Sequence, residues 1–301
     1  RLDLIPVDTQ TSLSSLFAIG CAISWAIGTF AIGRASIKIS SKLLVIIFNV
    51  LAGIYFIAIS NFNLSHLNTK FVLLGIAAGF AHASALSLVG FALSKGRSGV
   101  IAPTSSVFEI SIPVIATTIF LTRLGLVTYI GIFILISSVW LLRKADNESH
   151  STSVFTDIML GLLVGSGFGL NITFISFVDN IAKDNAYFIT QISSIVLLSI
   201  LIIIKKSKDK NSTLGIKNLA NKTIAINSAM FILFELLGIV FLNEALKRGI
   251  AGIVAALASI PFTLGIIAIS VVLLKEKISK VQLIGIIVAS VGIAVTHLST
   301  V

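Results

Sequence analysis

Ten stretches of roughly 18 to 26 residues, almost free of charge, follow one another along the 301-residue chain, joined by short basic connections. Each matches the ~20 apolar residues with which a helix crosses a ~30 Å hydrocarbon layer. In lipid every backbone amide must find its partner within its own segment, so such runs are helices threaded through a bilayer. They lie near Leu13–Gly33, Leu43–Asn61, Phe71–Ser94, Ser98–Leu121 and Leu126–Leu142, then Thr156–Val178, Ala186–Ile204, Lys222–Asn243, Gly249–Leu274 and Val281–Leu298. The sequence therefore predicts an all-α, polytopic membrane protein of ten transmembrane helices. Only 11% of the residues are charged, against about 25% in soluble domains, which excludes a water-bathed surface all round.

The net charge of +10 does not point to nucleic acid. Nearly every Lys and Arg sits in a connection or at a helix end, where positive charge sets topology and meets anionic lipid. Membrane lipid and a small solute are the expected partners, with the chain a monomer or homodimer. The single cysteine, Cys21, lies inside the first span, so no disulfide framework, metal cluster or cofactor is expected. Residues Arg1–Ser12 lack the apolar core and small-residue cleavage site of a signal peptide. Arg143–Phe155 and Lys205–Asn221 are the only polar connections of any length.

The chain is written twice. At a constant offset of 153, Ala92, Leu93, Gly96, Gly99, Ala102 and Ser106 meet Ala245, Leu246, Gly249, Gly252, Ala255 and Ser259. After one gap Gly131 falls on Gly285, and the helices opening each half carry Gly20/Ser24/Gly28 and Gly161/Gly165/Gly169. Five spans to a half is an odd number, so the second copy enters the membrane the opposite way up. Two inverted five-helix repeats follow, expected over residues 13–143 and 156–299. Halves related in this way give alternating access to a site between them.

The stretches Ala92-Leu-x-x-Gly…Val-Ile-Ala-Pro103, Ser259-Ile-Pro-Phe-Thr263 and Leu273-Leu-Lys-Glu276…Gly285 make the chain similar to the drug/metabolite transporter superfamily, specifically its EamA-type ten-helix members. The resemblance runs from Leu13 to about Leu298. It implies a central cavity between the repeats and transport of a small metabolite such as an amino acid, amine or sugar. The first half departs from the pattern twice: Phe108 stands opposite Pro261, and Arg123 opposite Glu276.

An ionisable side chain deep in a span costs ~2.5–3.5 kcal/mol on insertion scales and is a functional candidate by default. Three qualify: His82, Glu109 and Glu235. His82 and Glu235 occupy matching repeat positions in the third and eighth helices, and are expected to face each other near the pseudo-axis. Glu109 shares a helix face with Ser105 and Ala102, and Glu235 with Ser228, Phe231 and Gly238. Such a carboxylate can hold a cationic group or carry a proton; it can also simply bridge helices. Trp25 can wall a cavity or stack on a cation, and Asn171 can bind solute or bridge helices. The glycine stripes read as packing seams. Pro103, Pro113 and Pro261 break helical hydrogen bonding in the fourth and ninth spans and are candidate hinges.

Six cations fall on the face that holds the termini (Arg1, Lys70, Arg123, Lys183, Lys247 and Arg248) and sixteen on the other. The positive-inside rule then puts the termini outside, whereas the resemblance implies cytoplasmic termini. Either way the expected location is the cell membrane. The favoured function is secondary transport of a small organic solute, amino acid or amine-like, by exchange or proton coupling. The alternative is a membrane-embedded enzyme acting on a lipid-linked substrate, but His66, His150 and His297 lack acidic company near span ends. No Gly-x4-Gly-Lys-[Ser/Thr] loop supports direct ATP drive.

Overall fold

A computed structural model describes residues 7–60, 63, 65–94, 98–121, 123–143, 154–208, 214–274 and 280–298. They form ten α-helices: α1 (Val7–Ala35), α2 (Ser41–Ile59), α3 (Thr69–Ser94), α4 (Ser98–Ala116), α5 (Leu126–Arg143), α6 (Val154–Ser176), α7 (Lys183–Lys208), α8 (Lys222–Arg248), α9 (Ala251–Leu274) and α10 (Lys280–Leu298). Among the described residues seven helices are long and apolar enough to cross a membrane, and Leu126–Ser138 and Leu283–Gly292 are shorter apolar helices. The protein is an all-helical, multi-pass membrane protein.

The fourth helix departs from its expected course. The span Ser98–Leu121 is not one α-helix: α4 stops at Ala116 and Thr117–Leu121 form a π turn. Pro113 supplies no N–H to the carbonyl of Glu109, so the ladder is already one rung short before the turn widens. Thr118 Oγ1 donates back to the Val114 carbonyl at 2.8 Å and lies 2.7 Å from the Tyr129 hydroxyl. The Gly252 N–H donates to Thr117 Oγ1 at 3.1 Å, which ties the π turn to the start of α9. Pro261 lies inside α9; the backbone of Pro103 is in α4, but its side chain falls outside the described residues, as do Gly96 and Glu276 altogether.

Contacts between the two halves follow a rule. α1 packs along α8 as α6 does along α3; α9 lies on α1 as α4 lies on α6; α3 meets α7 as α8 meets α2. Moving every helix five places along the chain turns each of these contacts into another of them. The pairs α5–α10, α2–α7 and α4–α9 turn into themselves. Two like five-helix bundles exchanged by a two-fold axis would have this pattern of contacts.

Lipid tails are as apolar as leucine, so helices here are held by close backbone approach and interior hydrogen bonds. A Cβ on Gly20 would meet the Phe241 ring and one on Gly28 the backbone of Glu235, which makes the α1 stripe the seam with α8. A Cβ on Gly165 would come within 2.1 Å of the Ser105 carbonyl oxygen, and Gly169 lies against Phe108 and Ile112, so the α6 stripe is the seam with α4. Ser194 and Thr190 of α7 donate to the carbonyls of Gly79 and Gly75 at 2.9 and 3.2 Å, fixing α3. Asn221 caps α8, accepting from the amides of Thr223 and Ile224. Large apolar side chains such as Leu163, Leu233 and Phe133 point outward, and the buried polar residues point in.

The seam yields a test. Gly165→Ala should destabilise the protein in detergent by about 1–3 kcal/mol, seen as a lower thermal midpoint, because backbone blocks the new methyl. Gly125→Ala, whose Cβ would find nothing closer than 3.9 Å, should leave the midpoint unchanged.

Candidate functional site

The interior between the halves is built round α1. Its Cys21, Trp25 and Gly28 share one side, and α8, α9 and α3 all pack on this helix. Gly28 lies against Glu235 of α8; an added Cβ would stand 3.4 Å from a carboxylate oxygen of that residue. Gly238, one turn further along α8, lies under the indole of Trp25, which leaves no room for any side chain there. Trp25 in turn stacks on Phe168 of α6, with centroids 6.0 Å apart. Glu235, Ser228, Phe231 and Gly238 are all buried on one face of α8, as their spacing predicts.

His82 is fully buried on α3, between Phe168 at 5.9 Å and Phe48 of α2 at 6.1 Å. Phe48 also meets Phe231 edge-on at 6.1 Å. Neither imidazole nitrogen makes a hydrogen bond among the described residues, and Phe48 links the ring to Phe231, one turn before Glu235 on α8. Glu109 enters from α4, buried, with Ser259 of α9 as its hydrogen-bond partner. Both carboxylates lie near enough to Cys21 of α1 to act on it electrostatically. Ser259 also donates to the Ala255 carbonyl at 2.8 Å. Asn171 of α6 donates to the carbonyl of Ala78 at 3.2 Å, one turn before His82, and so bridges α6 to α3.

This region concentrates buried polar atoms that have no hydrogen-bond partner among the described residues. They include Glu235 Oε2, both His82 nitrogens, Trp25 Nε1, Asn49 Oδ1, the Tyr187 hydroxyl, and the whole side-chain amide of Gln191. Each such group costs about 1–3 kcal/mol when left unmade, and native proteins hold few of them. Sequence reasoning missed Asn49, Tyr187 and Gln191, because ranking by insertion cost favours ionisable groups over neutral ones. Their signal was there: a lone amide or phenol in the middle of an apolar run. Gln191 lies against Gly53 of α2, and Tyr187 stacks on Phe56 at 4.9 Å.

Fold and interior together define a polytopic membrane protein with a polar, aromatic-walled centre at the meeting of two five-helix bundles. The EamA-like transporter family model matches residues 156–298, the last five helices. An uncharacterized protein of Methanocaldococcus jannaschii is 31% identical over 144 residues, which make up 98% of that protein and 48% of this chain. A crystal structure superposes with a TM-score of 0.66 over 95% of this chain and 96% of that one, at 14% identity, a likeness of fold. The chain belongs to the EamA-like transporter family, and so is a membrane transporter of the drug/metabolite type.

Cys21, fully buried beside both carboxylates, is a ready-made reporter. Water-soluble maleimide should leave it unlabelled in the folded protein and label it completely after denaturation in dodecyl sulfate, read by mass spectrometry.

Proposed function

We propose that the chain is a secondary carrier for a small organic solute with an amino group, an amino acid or an amine, in the cell membrane. Residues 13–143 and 156–299 are the two repeats that rock about the centre, in a monomer or homodimer. The observation that carries this reading is the set of unpartnered donors and acceptors buried where the halves meet. A solute that must be released again is best held by groups with no strong partner of their own. Glu235 would take the cationic group, with Trp25 beside it as an aromatic wall. His82, Asn49 and Gln191 offer hydrogen bonds to the remaining polar atoms.

Glu109 suits a different task. Its carboxyl is buried and hydrogen-bonded to Ser259 of α9, and a buried carboxyl with a hydroxyl partner can take up and release a proton as that contact changes, which supports proton coupling. Asn171, already bonded to α3, serves as a structural brace for His82. Pro113 and the π turn behind Glu109 supply a yielding segment next to this pair, and Pro261 does so two residues beyond Ser259.

Uptake of radiolabelled amino acids and amines into proteoliposomes separates these roles. Glu235→Gln should slow uptake of the accepted solute roughly ten- to hundredfold, the loss expected for one charge-assisted hydrogen bond. Glu109→Gln should abolish proton-driven accumulation yet keep solute counterflow. Leu163→Ala, on the lipid face, should change neither. Normal flux in both glutamate variants would remove the assigned roles.

A further inference from the structure

A second place in the molecule is arranged for chemistry opposite to that of the centre. At the face holding the termini, a cavity of about 620 Å³ opens between the start of α1 and the α4–α5, α6–α7 and α8–α9 connections. Only six of the 22 cations belong to that face, yet four of them, Arg123, Lys183, Lys247 and Arg248, line this one cavity, and among the described residues no carboxylate does. Helices α5, α7 and α9 begin at its wall, and the dipole of a helix start adds positive potential.

The four cations are not equally occupied. Lys247 is held by Asp184 at 2.7 Å and Glu244 at 3.2 Å. Arg248 bonds the carboxylate and the carbonyl of Glu244 and covers the Phe17 ring, but its Nε is buried with no partner. Lys183 is only 4% exposed, and its ammonium bonds one neutral atom, Asn180 Oδ1 at 2.5 Å. Lys247 faces it as a like charge, and Asp179 acts on it only from beyond ion-pair distance. Among the described residues no carboxylate lies within 4 Å of Arg123 or Lys183. A buried ammonium with so little compensation is costly unless something negative joins it.

We propose that this cavity is a binding site for an oxyanion, the carboxylate or phosphate group of a small molecule, held chiefly by Lys183 and Arg123 with Arg248 Nε as a further donor. In its wall Ser14 Oγ donates to the Ala245 carbonyl at 2.9 Å, closing α1 on α8; the lining includes none of Trp25, His82, Glu109 or Glu235, so the site is distinct from the buried centre. The site rests on its own geometry and not on the carrier reading, and its test reads no flux.

The test is equilibrium dialysis of the purified full chain in nonionic detergent against radiolabelled inorganic phosphate, with chloride holding ionic strength constant. One saturable site per chain is expected. Lys183→Gln and Arg123→Gln should each weaken binding about tenfold or more, while Lys70→Gln, on the same face but outside the cavity, should not. Arg123 is exposed, so its variant decides the matter if Lys183→Gln fails to elute as a folded species on size exclusion. Loss of bound phosphate to phosphatidylglycerol in the micelle identifies a lipid headgroup as the oxyanion's source; its retention identifies a soluble one. No saturable binding, or full binding in both variants, overturns the proposal.

Discussion

The structure depends on how closely helix backbones approach where no hydrophobic force drives them together. Side chains at Gly20 and Gly28 would press α1 away from α8, and side chains at Gly165 and Gly169 would drive α6 into the backbone of α4. Those two seams carry the first helix of each half into the body of the protein. Once they are closed, Trp25 falls over Gly238 and Glu235 against Gly28, and the polar centre is assembled as a consequence. Small residues thus position the large and charged ones.

A second constraint follows from the first. Tight seams leave the interior nearly dry of alternatives, so a polar side chain that enters it must meet another or remain unmet. At Asn171, Thr190 and Ser194 it meets a carbonyl of the neighbouring helix, and these residues hold α3 in place. At Glu235, His82, Gln191 and Trp25 Nε1 it remains unmet. The contrast separates buried polar groups that brace helices from those that make no hydrogen bond among the described residues.

The ten helices were legible in the sequence because lipid enforces them: apolar runs of fixed length leave few other readings. The ionisable residues were legible for the same reason, since a Glu among leucines is conspicuous. What escaped was whatever depends on three-dimensional neighbours. The π turn at Thr117–Leu121 follows from how α4 is tied to α5 and α9, and no local propensity marks it. Gln191 and Asn49 look like ordinary polar interruptions until their amide atoms prove to lack partners. The cation-lined cavity was hidden because its cations come from three connections far apart in sequence, each unremarkable alone.

The two halves are alike in framework and unlike in content. Position for position, His82 answers Glu235, Phe108 answers Pro261 and Arg123 answers Glu276. A pair of identical half-length chains would have to place the same residue at both members of each such pair, because an isologous arrangement duplicates every side chain. Joining the halves in one chain frees each position to take its own residue: a carboxylate on α8 where α3 carries an imidazole, a proline in α9 where α4 carries a phenylalanine, and a cation before α5 where the other half has a carboxylate. A repeated framework thus constrains where the helices run and leaves open what each of them carries.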